Sequence, residues 1–201
     1  MKPKNIPGVP KQVKGGFHDS ESIIKIDPNE DINTAFHLLK ERFFGINDWK
    51  RFCPESSADF KLCNSTGDVI SRLPECGDYI RIDIPGPGGT EGHSFDWTVI
   101  DMVDFNSPDR ILIQCRPCPD PKELNSRNIA HFYCERATST FVIQKKENSL
   151  MAAVYGRNES PNLKSGVINS VRNMMIAVGG ILGFSKIQWK CLVEGLTNFD
   201  I

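Results

Sequence analysis

Cys115 and Cys118, in the run Cys115-Arg116-Pro117-Cys118, are the first residues whose spacing suggests chemistry. A CxxC pair serves redox exchange when it opens a helix, because the dipole at a helix N-terminus lowers a thiol pKa. Here the pair closes a strand pattern and runs into Pro119-Asp120-Pro121, and no second CxxC completes a zinc site. It reads as coincidence. The histidines His18, His37, His93 and His131 show no metal-ligand spacing, so neither a metal nor a cofactor is expected. His131-Phe132-Tyr133, read as strand, puts His131 and Tyr133 on one face as a hydrogen-bonding or acid–base pair.

A second group of candidates would need a cavity. Pro85 to His93 is a Gly-rich loop after a clear strand pattern, but it lacks the lysine and Ser/Thr of a phosphate loop. It reads as a wide connection or as a flap over a cavity mouth, with His93 and Asp96 near the entrance. In Tyr79-Ile80-Arg81-Ile82-Asp83 the isoleucines point one way and Arg81 and Asp83 the other. If the isoleucine face is the inner one, Arg81, like Arg116, Arg136 and Arg157, is solvated outside. If some of these arginines face inward with Asp83 or Glu135, they could hold an anionic head group. Trp49, Trp97 and Trp189 suit a core, and Trp97, Met174, Met175 and Val178 are candidate cavity walls.

The bulk properties exclude several classes. A chain of 201 residues with 39% apolar and 24% charged residues is globular and suits one domain. Its net charge of −1 gives no general attraction for nucleic acid. Met174 to Phe184 is too short and Gly-rich to cross a bilayer, and the basic N-terminus lacks the apolar core of a secretory signal. Seven scattered cysteines fit reduced thiols, so a cytoplasmic location is expected.

The positioning elements follow from periodicity. Residues 1–18, with four lysines and no acid, read as a flexible basic arm, and 19–201 as one domain. Ser22–Ile26 is a first strand. Asp27 then caps a helix with Pro28 in its first turn, and Ile32, Ala35, Phe36, Leu39 and Phe43 form its apolar face. A short helix around Trp49 and Phe52 follows. From Asp59 the period changes to two, predicting strands at Asp59–Asn64, Asp78–Ile84, Phe95–Phe105, Arg110–Arg116, Ile129–Lys145 (with a bend or break as an alternative) and Leu150–Arg157. Lys146-Glu147-Asn148-Ser149 is a tight hairpin between the last two. From about Leu163 to Leu196 the pattern is helical, with Ile187, Cys191 and Leu192 extending the apolar stripe. Gly179, Gly180 and Gly183 predict a kink, a close backbone approach or a break into two helices.

This order predicts an α+β fold: a curved antiparallel sheet of about six to seven strands wrapped around a long C-terminal helix. It resembles the helix-grip fold of the START-like superfamily over residues 20–196, and the resemblance implies a cavity between sheet and last helix. The segments Gly77 to Gly88 (GDYIRIDIPGPG) and Gly183 to Leu196 (GFSKIQWKCLVEGL) are similar to segments of uncharacterised bacterial proteins. The reading that follows is a small apolar or amphipathic partner bound in that cavity. Its wall candidates are Arg81, Asp83, His93, Trp97, Arg116, His131, Tyr133, Met174, Met175 and Val178. The alternatives are a cyclase- or hydrolase-like enzyme in the same cavity and an interaction module with a solid core. Ligand identity and oligomeric state are left open.

Overall fold

The computed structural model describes residues 2–54, 57–84, 95–123, 126–162 and 181–199, with side chains of the last helix described from Lys186 onward. Seven strands form one antiparallel sheet: β1 (Gly16–Lys25), β2 (Asp59–Cys63), β3 (Tyr79–Asp83), β4 (Asp96–Ser107), β5 (Arg110–Pro117), β6 (Thr138–Lys146) and β7 (Ser149–Glu159). Their order across the sheet is β1-β7-β6-β5-β4-β3-β2, so β1 and β2 are the two edges. The sheet is curved and unclosed, and register shifts after Ile100 and Asp104 in β4 help to bend it. Helix α1 (Ile32–Phe44), a 3-10 helix (Ile46–Phe52) and the C-terminal α2 (Ile181–Thr197) complete the fold.

Several boundaries moved for identifiable reasons. Asp27 accepts the Asn29 N–H in a turn, and Asp31 is the actual cap, with its carboxylate accepting from the Asn33 and Thr34 backbones. Residues 16–18 belong to β1, and the segment before them lies on the sheet rather than apart from it. Ile6 and Val9 pack on Leu112, Val142, Ala153 and Tyr155 of the outer face. Residues 129–137, expected as strand, are not: Trp97 N–H donates to Ala130 O, Ala130 N–H to Cys118 O, and the Asn162 amide to the Ile129 and His131 carbonyls. These bonds take the segment across the sheet end. The hairpin at Glu147 and Asn148 is present as expected, with Glu147 at φ 51° supplying the left-handed turn residue.

The main core fills the inner face of the sheet. Phe36, Leu39 and Phe43 of α1, Trp49, and Trp189, Leu192, Val193 and Leu196 of α2 pack over Phe60, Ile80, Ile82, Ile113, Phe141 and Ile143. The apolar stripe of α2 is rotated from the expected one: Gln188 and Trp189 are buried, whereas Ile187 is 56% exposed. Gly195 explains how α2 docks so closely. A Cβ there would stand 1.8 Å from the Phe52 carbonyl oxygen, so only glycine fits. The continuity of the helix through Gly179 and Gly180 lies outside the described residues, as do Met174, Met175 and Val178.

Candidate functional site

Between the inner face of β2–β6 and α2 lies a cavity of about 30 Å³, room for one or two waters. Its apolar wall is a closed cycle of rings. Trp49 meets Phe60 at 5.6 Å between centroids, Phe60 meets Trp189 at 5.6 Å, Trp189 meets Phe141 at 5.2 Å, and Phe141 returns to Trp49 at 5.0 Å. Ile80, Ile82, Ile84 and Cys115 add aliphatic and thiol surface, while Thr98, Ser139, Gln188 and the 131–133 segment bring the polar groups. No lysine, arginine, aspartate or glutamate is among the described lining residues.

His131 and Tyr133 both line this cavity. The imidazole Nδ1 of His131 accepts the Tyr133 backbone N–H at 2.9 Å, so the neutral ring carries its proton on Nε2. Burial pushes its pKa down to about 3, which keeps the ring neutral. Its face stacks on Phe132 at 4.4 Å. Asp96 faces the same side of the sheet, because it pairs in register with the wall residue Ile82. Burial raises its carboxyl to about 8, with the Phe132 backbone N–H pulling the other way, and its Oδ2 has no hydrogen-bond partner among the described residues. A carboxyl so placed is largely protonated at neutral pH.

Gln188 is the third polar group. Its Oε1 accepts the Ala58 backbone N–H at 2.9 Å, and its Nε2 has no partner among the described residues. Neither Gln188 nor the aromatic cycle was singled out from the sequence. The signal for Gln188 was there: it stands four residues before Leu192, a polar residue inside an apolar stripe.

The remaining candidates are not at the cavity. Ile80 and Ile82 face inward, so strand alternation carries Arg81 and Asp83 to the outer side. Arg81 stacks over Phe95 at 4.3 Å. Trp97 pairs in register with Arg81 and is buried in an outer cluster with Cys63 and Cys118. Arg116 pairs with Asp101 at 3.1 Å near the surface. No inward arginine cluster forms from these residues. His93 and the Gly-rich loop lie outside the described residues. Burial raises both Cys115 and Cys118, the latter to about 12, which argues against a reactive pair. Among the described residues, no three His, Cys, Asp or Glu side chains come together as a metal site.

Over nearly its whole length the chain superposes on a hypothetical protein from Helicobacter pylori. The TM-score is 0.54 at 11% identity, covering 98% of this chain and 97% of that one. The architecture, a curved and unclosed seven-stranded antiparallel sheet with a C-terminal helix, is that of a helix-grip fold. A Thermus thermophilus protein matches at TM-score 0.46 and 10% identity, over 90% of this chain and 94% of that one. Norcoclaurine synthase from Thalictrum flavum matches at 0.39 and 10%, over 94% and 98%. No family model matches the sequence, and no curated protein matches it. No helix among the described residues is long and apolar enough to cross a membrane.

Proposed function

We propose that this helix-grip protein binds a small, uncharged, largely apolar molecule between its sheet and α2. The observation that supports this most is the ring of Trp49, Phe60, Phe141 and Trp189 around a cavity whose wall also holds Gln188, a buried amide with its nitrogen unpaired among the described residues. An interior built only for stability leaves few such groups unpaired. Ligand pockets usually offer roughly 300–1,000 Å³. With about 30 Å³ now present, a ligand enters only by parting the walls.

The enzymatic alternative needed Arg81 or Asp83 to converge with His131 and Tyr133, and those two side chains lie on the other face. It is left with Asp96 as a neutral acid and His131 as a neutral imidazole, and burial keeps the wall's Cys115 thiol protonated. Binding is therefore the better supported reading.

Native mass spectrometry of the protein as purified, followed by titration with the neutral probe N-phenyl-1-naphthylamine, tests it. The expected result is a co-purified small molecule, or saturable one-to-one probe binding that quenches tryptophan fluorescence. If no small molecule is carried and the probe fails to saturate, the interior is a solid core and the reading falls.

A further inference from the structure

The cavity wall contains one amide whose orientation its surroundings decide. An N–H can be met only by an acceptor, so the Ala58 backbone N–H, 2.9 Å away, must face the oxygen of Gln188. The Gln188 Nε2 is thereby turned to the other side, and Gln188 is a lining residue of the cavity. The residue is only 5% exposed, and that nitrogen has no partner among the described residues. A buried donor without an acceptor is disfavoured, which makes it an unfilled place for one.

The rest of the wall narrows what that acceptor belongs to. His131 presents a second donor, Nε2–H, because its Nδ1 is occupied by the Tyr133 N–H. The described lining has no cation to balance an anionic ligand and no carboxylate to balance a cationic one. The large surfaces are ring faces and edges of Trp49, Phe60, Phe141 and Trp189, which favour flat partners.

We propose that Gln188 is the polar anchor of the cavity, its free amide N–H donating to a carbonyl, ether or hydroxyl oxygen on a neutral, flat, apolar ligand. The proposal rests on the binding function above, and it adds the ligand's chemical class and the residue that reads it. The α2 helix thus contributes both an aromatic wall, Trp189, and the group that orients the ligand, from adjacent positions.

The test is a matched pair of probes, 2-acetylnaphthalene and 2-ethylnaphthalene, nearly equal in shape and differing in one carbonyl oxygen. By calorimetry, the wild type should bind the acetyl compound about 10-fold more tightly, the value of one net hydrogen bond. In Gln188→Met, which keeps the length of the side chain, the ratio of the two affinities should fall to about one. In the wild type the carbonyl stretch of the bound acetyl compound should move to lower frequency than in alkane solvent. This readout serves if the variant does not fold. Equal binding of both probes by the wild type, an unshifted carbonyl, or a preference that survives in Gln188→Met overturns the anchor but leaves an apolar pocket standing. Binding of neither probe overturns both.

Discussion

Replacing Asp96 with Asn should change how stability depends on pH in a specific way. Burial raises the carboxyl from 3.8 to about 8, so between those values the folded protein holds a proton that the unfolded chain has released. Stability from this group is complete below 3.8 and is lost as pH rises toward 8. At 1.36 kcal/mol per tenfold step in proton activity, the whole span is worth at most about 6 kcal/mol. His131 acts in the opposite direction. Burial lowers it from 6.5 to about 3, so its contribution is complete above 6.5 and is lost as pH falls toward 3. Between about pH 4 and 6.5 the two slopes cancel, and from 6.5 to 8 Asp96 acts alone, removing about 2 kcal/mol.

Urea unfolding at pH 4.5, 6.5 and 8 measures this directly. The wild type should be level from 4.5 to 6.5 and lose about 2 kcal/mol by pH 8. Asp96→Asn should instead gain about 3 kcal/mol from 4.5 to 6.5, the unmasked effect of His131, and stay level to pH 8. The difference between the two proteins removes the contribution of every other titrating group. Parallel curves for wild type and variant, or an Asp96 carboxyl that titrates near 4 by carbon NMR, would refute the reasoning.

Three further outcomes are expected. Arg157, 1% exposed, pairs with Asp19 at 2.7 Å and donates to the Lys4, His18 and Gly156 carbonyls, so Arg157→Met should destabilise by about 3–5 kcal/mol in urea unfolding. A result below about 1 kcal/mol would show that Asp19 finds water instead. Gly195→Ala should cost at least about 1–3 kcal/mol on the same assay, because its methyl meets the Phe52 carbonyl, and a neutral result would mean α2 can shift freely. A thiol reagent at pH 8 should modify exposed Cys76 in the native protein but reach Cys115 and Cys118 only on unfolding, as read by peptide mass spectrometry. Rapid native labelling of either buried thiol would reopen the CxxC pair as a reactive site.

Periodicity was informative wherever a segment meets one partner on one face. The alternation Tyr79 to Asp83 and the apolar positions Phe36, Leu39 and Phe43 translated directly into buried and outward residues. It failed where long-range hydrogen bonds override local preference. Residues 129–137 alternate well enough for a strand, yet Trp97, Cys118 and Asn162 claim their backbone groups. It misplaced the start of α1: Asp27 was expected as the cap, but the carboxylate of Asp31, four residues on, accepts the Asn33 and Thr34 backbones.

The order of strands and helices, and the two-residue alternation along β3, were legible in the sequence because they are local properties of the chain; which face of β3 turns inward was not. Which polar side chains meet was not. Trp97 went outside because it shares a register with Arg81, and Asp96 inside because it shares one with Ile82. The rotation of α2 that buries Gln188 and exposes Ile187 follows from Gly195 seating against Phe52 and Trp189 entering the aromatic ring. Gly195 and Phe52, and Trp189 and Phe60, stand more than a hundred positions apart, and only the folded molecule brings them within reach.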